Sequence, residues 1–144
     1  MKIALDLKTV VGLIDGAPIH LRRHMDEALA RGDALVMSSL VLHELAYQAM
    51  ASDQAARRLA QLDAFIAQVD VVPWTSEDAL TAARMRADHE IRMGHPPRAD
   101  PSEVLSAAQA LNNDWAMISE DRLRDVTIRM LGLRSIDWSA PDAD

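Results

Sequence analysis

Carboxylates recur where apolar runs of this chain give way to polar ones. Asp6 follows Lys2-Ile3-Ala4-Leu5, and Glu44 sits within Leu40-Val41-Leu42-His43-Glu44-Leu45-Ala46. Asp100 and Glu103 head the run Val104-Leu105-Ser106-Ala107-Ala108, and Glu120 and Asp121 come directly after Ala116-Met117-Ile118-Ser119. Carboxylates gathered in one place repel one another, and such a cluster is usually relieved by a bound cation. All-oxygen ligands favour Mg²⁺ or Mn²⁺ over zinc. A divalent ion held this way acidifies a water and stabilises charge on a phosphate in transfer. Each residue also has a plainer role. Asp6 can cap a helix or turn, and Glu44 can face water from a helix. Asp100 with Glu103 fits a capping box around Pro101, and Asp121 can cap the helix that follows it.

Other chemistries are excluded. The chain has no cysteine, which removes thiolate zinc, a disulfide framework and a cysteine nucleophile. Its five glycines form no phosphate-binding loop. A net charge of −7 argues against a protein coated in nucleic acid, but not against an enzyme that attacks nucleic acid through a few metal-holding acids. Aromatic residues are only 3% of the chain, too few for a base-stacking platform. No apolar run is long enough to span a membrane, and Asp6 interrupts the N-terminus too early for a signal peptide, so the expected location is the cytoplasm.

Five short apolar segments must position these acids: Lys2 to Leu5, Ala34 to Met37, Val69 to Val72, Trp115 to Ile118 and Leu131 to Ile136. Between them lie helical patterns: Thr9 to Ile14, Ile19 to Ala30, Ser38 or Ser39 to about Ala51, a helix starting at Ser52-Asp53, Thr75 or Ser76 to about Met93, and Asp100 to about Asn112. A short helix is expected to start at Ser119-Glu120-Asp121. The strand segments show little polar alternation, as in a parallel sheet covered on both faces. The predicted fold is therefore an α/β three-layer domain over residues 1–138, with a four- or five-stranded parallel sheet flanked by helices and an acidic tail over 139–144. Ligand sites of such sheets lie beyond the carboxyl ends of the strands, where the acids fall.

Four blocks, in order, resemble the PIN-domain ribonucleases, and in particular the VapC-like toxins of bacterial toxin–antitoxin pairs. They are Lys2-Ile3-Ala4-Leu5-Asp6, Met37-Ser38-Ser39-Leu40-Val41-Leu42-His43-Glu44-Leu45-Ala46-Tyr47, Ala99-Asp100-Pro101-Ser102-Glu103-Val104-Leu105-Ser106-Ala107-Ala108, and Ala116-Met117-Ile118-Ser119-Glu120-Asp121. The second, with its Glu-Leu-x-Tyr motif, is the most specific. The resemblance covers residues 2–137. It implies a Mg²⁺- or Mn²⁺-dependent endoribonuclease toxin that cleaves tRNA or another structured RNA, with a VapB-like antitoxin as partner. By motif position Asp6, Glu44, Glu103 and Asp121 hold the metal, with Asp100 the alternative one turn before Glu103, and Ser119 hydrogen-bonds into the site.

The chain departs from the family pattern at two points. Leu7 and Lys8 follow the first acid where a small hydroxyl residue and Asn or Ser are usual, which brings an ammonium group close to the carboxylates. The third acid is Glu103 rather than Asp. These changes support a second reading, a catalytically weakened or dead PIN domain that acts as an antitoxin- or RNA-binding module. A third is a metal-dependent phosphatase or DNA nuclease on a similar sheet. A homodimer is also expected, from the resemblance and from the apolar surplus of Ile19, Leu21 and Met25 with Leu59, Leu62, Phe65 and Ile66. His20 and His24 are expected on a solvated helix face with Arg22 and Arg23, His43 on the face next to the site, and His89 and His95 without a partner set.

Overall fold

The computed structural model describes residues 1–98, 101–118 and 132–138. Its frame is a five-stranded sheet of β1 (Lys2–Ala4), β2 (Ala34–Ser38), β3 (Asp70–Val72), β4 (Ala116–Ile118) and β5 (Ser135–Ile136). The order is β3-β2-β1-β4-β5, with every neighbouring pair parallel. Among the described residues the helices are α1 (Leu7–Asp15), α2 (Ile19–Ala30), α3 (Ser39–Ala51), α4 (Ala55–Ile66), α5 (Ser76–Met93) and α6 (Pro101–Asn112).

Alternation along the strands divides the interior into two cores. Ile3, Leu5, Leu35, Met37 and Ile118 pack on one side, with Val10 and Leu13 of α1, Leu21 and Met25 of α2, Val41 and Leu45 of α3, and Leu62 and Phe65 of α4. Ala4, Val36 and Met117 point to the other side, against Ala82 and Met85 of α5 and Val104, Ala107 and Ala108 of α6. Both faces of β1, β2 and β4 are thus apolar, which is why these strands read as continuous runs rather than as alternating ones. β1 is central, and the chain builds outward from it first to β2 and β3, then to β4 and β5. The direction reverses between β1 and β4, and a crevice opens there beyond the carboxyl ends.

Contacts from α5 and from the link before it hold the middle and the end of α6. Asp78 is buried, and its carboxylate accepts from the Thr75 backbone N–H and from Asn112 Nδ2, both at 2.9 Å. Thr75 Oγ1 accepts in turn from the Asp78 N–H, completing a capping box. Gln109, also buried, donates through Nε2 to the carbonyls of Val72 and Pro73. Trp74 donates from Nε1 to the Leu105 carbonyl and from its backbone N–H to Ser39 Oγ. The link between β3 and α5 therefore ties α6 to the start of α3.

Several expectations need correction. The last strand is confined to Ser135–Ile136 within the described residues. Ser52 does not open α4. It ends α3 as its C-cap, with its hydroxyl donating to the Ala49 carbonyl at 2.9 Å, and α4 begins at Ala55. α2 has the expected bounds, but Ile19 is 84% exposed, and the buried face is Leu21, Met25 and Ala28. Leu21, Met25, Leu62 and Phe65 are in the core, so the apolar surplus that motivated a homodimer is largely used up inside one chain. His20 and His24 do not form a solvated face: the His24 ring stacks on buried Trp138 with centroids 5.9 Å apart, and His20 Nε2 is enclosed by protein. His89 and His95 partner each other, with rings 5.3 Å apart and His89 Nδ1 3.2 Å from the His95 carbonyl. Residues 139–144, the acidic tail, lie outside the described residues.

Candidate active site

Asp6 lies in the link between β1 and α1: it follows β1 by two positions and is the N-cap of α1. Its Oδ1 accepts from the Thr9 backbone N–H at 3.1 Å, and the residue is only 6% exposed. The capping role is therefore real, and it fixes where this buried carboxylate stands. Glu44 stands in the second turn of α3, whose N-cap is Ser38. Glu103 is in the first turn of α6.

These three acids, each from a different helix or its cap, line one cavity of about 380 Å³. Leu7, Val11, Leu40 and Val41 form its apolar wall, and Lys8, Gln48, Ser102 and Ser106 add polar groups. Gln48 lies four residues after Glu44 and Ser106 three after Glu103, on the same helix faces as the acids. That spacing is present in the sequence, but nothing local sets the two residues apart from ordinary helix positions. His43 has Nδ1 3.7 Å from Glu44 Oε1, yet it is a surface residue and does not line the cavity. Lys8 does line it, with its side chain exposed.

Ser119, Glu120, Asp121 and Asp100 lie outside the described residues. Among the described residues no three carboxylate or imidazole groups are gathered tightly enough to hold a metal ion. The donor set that Asp6, Glu44 and Glu103 present is nevertheless hard oxygen in a partly enclosed cavity, the chemistry Mg²⁺ or Mn²⁺ takes.

A parallel sheet of this order with acids converging at the carboxyl edge defines a class, and the sequence meets it: the PIN domain model matches residues 3–126, and the chain belongs to the PIN-domain family. Among individual proteins it is 28% identical over 138 residues to the tRNA(fMet)-specific endonuclease VapC of Salmonella typhimurium, spanning 96% of this chain and 98% of that one. The protein of the same description from Shigella flexneri is 28% identical over 139 residues. Among solved structures, DNA-bound VapBC from Salmonella typhimurium superposes with a TM-score of 0.79 at 26% identity, covering 96% of this chain and 98% of that chain. VapBC2 from Rickettsia felis, bound to a promoter DNA fragment, gives a TM-score of 0.80 at 19% identity, covering 96% and 100%, a likeness of fold.

Proposed function

We propose that the chain is the toxin of a toxin–antitoxin pair, a Mg²⁺- or Mn²⁺-dependent endoribonuclease that cleaves RNA at the Asp6–Glu44–Glu103 cavity. The observation that carries this is the convergence of three acids from separate elements on one cavity at the point where the strand order reverses. Asp6, Glu44 and Glu103 would hold the ion, with Asp121 as the fourth acid and Ser119 hydrogen-bonding into the site by family resemblance. When bound, the ion supplies an acidified water and offsets charge on the phosphate. The chain itself contributes orientation: the α1 cap fixes Asp6, and the ties of α6 to α5 and, through Trp74, to the start of α3 orient Glu103 relative to Glu44. Leu7, Val11, Leu40 and Val41 limit water at one side of the cavity.

tRNA(fMet), named for the Salmonella and Shigella relatives, is the first substrate to test. The purified chain is expected to fragment it with Mn²⁺ or Mg²⁺ and to stop when EDTA is added. Unabated cleavage in EDTA would refute metal dependence. No Mn²⁺ binding by calorimetry together with no cleavage of any RNA would favour the catalytically dead module, in which Lys8 at the cavity wall opposes the ion.

The same reading gives the chain a small VapB-like antitoxin as partner, with an Arg or Lys near the carboxylates that competes with the ion. It also gives it a second copy of itself. Support for the homodimer now comes from exposed apolar side chains rather than from the helices first considered: Tyr47 and Met50 on α3, Leu80 and Ile91 on α5. Light scattering at micromolar concentration is expected to return about twice the 15.9 kDa chain mass, and a monomer mass would count against it. No helix among the described residues is long and apolar enough to cross a membrane.

A further inference from the structure

A second cavity, of about 420 Å³, adjoins the acidic one and has no part in holding the ion. Lys8 and Val11 line both. From that shared wall the second cavity runs between α1 and α2, enclosed by Leu21, Ile118 and Trp138. Its shape depends on how closely the two helices approach: a Cβ on Gly12 would stand 2.6 Å from Leu21 Cδ1 and 3.0 Å from the Ala17 carbonyl oxygen. The wall is mostly apolar, with a few polar groups set into it, as in sites for small organic ligands of this volume. One of them is His20, whose Nε2 is enclosed without a hydrogen-bond partner. Buried polar atoms without partners are rare, and a bound ligand met by a small turn of the ring is one way such an atom is satisfied.

A cleavable RNA strand brings a negative backbone to a cavity of carboxylates, and the strand needs a cation beside it. The exposed Lys8 side chain is at the junction of the two cavities, where a strand passing from one to the other would place a phosphate. Unpaired RNA bases are recognised by being turned out of the strand into apolar pockets with a few hydrogen-bonding groups at their edges. We propose that the second cavity seats the unpaired nucleotide adjoining the cleaved phosphodiester, its base beside His20 and its phosphate on Lys8. This rests on the acidic cavity being the cleavage site.

The test uses the full chain and a short fluorescein-labelled single-stranded oligoribonucleotide, with EDTA present during the binding measurement so that the strand stays intact. Ala17→Phe fills the cavity from its exposed rim, His20→Ala removes the imidazole, and Lys8→Asn removes the charge. Ala17→Phe and His20→Ala are each expected to raise the Kd for the oligonucleotide about tenfold, while Mn²⁺ affinity by calorimetry stays at the wild-type value. Lys8→Asn is expected to reduce the slope of log affinity against log salt by about 0.7, the loss of one phosphate contact to a single strand. Thermal melting confirms that each variant is folded. Equal oligonucleotide affinity in the wild type, Ala17→Phe and His20→Ala overturns the nucleotide seat. Tighter Mn²⁺ binding by Lys8→Asn with an unchanged salt slope overturns the phosphate contact and assigns that charge to opposing the ion. Absence of metal-dependent cleavage by a wild type that binds the oligonucleotide refutes the cleavage reading instead, and the variants still decide the cavity.

Discussion

Replacing Asp6 by Asn is expected to lower metal-dependent RNA cleavage at least about a hundredfold in kcat/KM, a loss of roughly 2.7 kcal/mol in transition-state stabilisation, with almost no cost to the fold. The two effects separate because the proposed site gives Asp6 two jobs. As N-cap of α1 it needs only an acceptor oxygen for the Thr9 N–H, and Asn provides one as well as Asp does. As a ligand it needs a negative charge facing Glu44 and Glu103 across the cavity, and Asn has none. Chemical denaturation should therefore find Asp6→Asn within about 0.5 kcal/mol of wild type, while calorimetry finds Mn²⁺ binding weakened. Asp6→Ala should lose activity equally and about 1 kcal/mol of stability as well, because the cap goes too. Undiminished cleavage by Asp6→Asn would reduce the residue to a cap and remove the acidic site from the reading.

The frame of this site was legible in the sequence for a physical reason. A central parallel sheet buries both faces, so Ile3-Ala4-Leu5 and Leu35-Val36-Met37 stand out as apolar runs between polar segments, and the acids beyond their ends fall where such sheets bind ligands. The helix bounds were legible where capping chemistry is local, as at Ser38, Thr75 and Gly94. What could not be read depends on which helices meet. Ser52 carries the same signature for ending one helix as for starting the next. Gln48 and Ser106 look like ordinary helix positions until α3 and α6 close around one cavity. His20 and His24, placed among arginines, look solvated until Trp138 arrives from the other end of the chain to stack on His24. The second cavity is a product of that packing and has no motif.

Asp78→Ala is expected to be the most damaging substitution outside the cores, destabilising the chain by about 3 kcal/mol and lowering Tm by roughly 10 °C. Asp78 is 2% exposed, and its carboxylate takes both the Thr75 N–H at the start of α5 and the Asn112 side-chain amide at the end of α6. Truncation leaves both donors without their acceptor in a part-buried setting, which costs more than the two hydrogen bonds contributed net. Asn112 also accepts from Thr81 Oγ1 at 2.9 Å, so its side chain is held from two points on α5 and loses one. Asp78→Asn can replace one of the acceptor contacts but offers a single carbonyl oxygen, and should fall between wild type and Ala. Since α6 carries Asn112 at one end and Glu103 at the other, loosening the far end allows the acid to drift from Glu44. Activity of Asp78→Ala below its melting temperature should accordingly drop several-fold with weaker Mn²⁺ binding, a much smaller loss than that of Asp6→Asn. A variant that melts about 10 °C lower yet cleaves RNA at the wild-type rate would show that Glu103 is held by its own first turn and by α3, independently of the α5 contact.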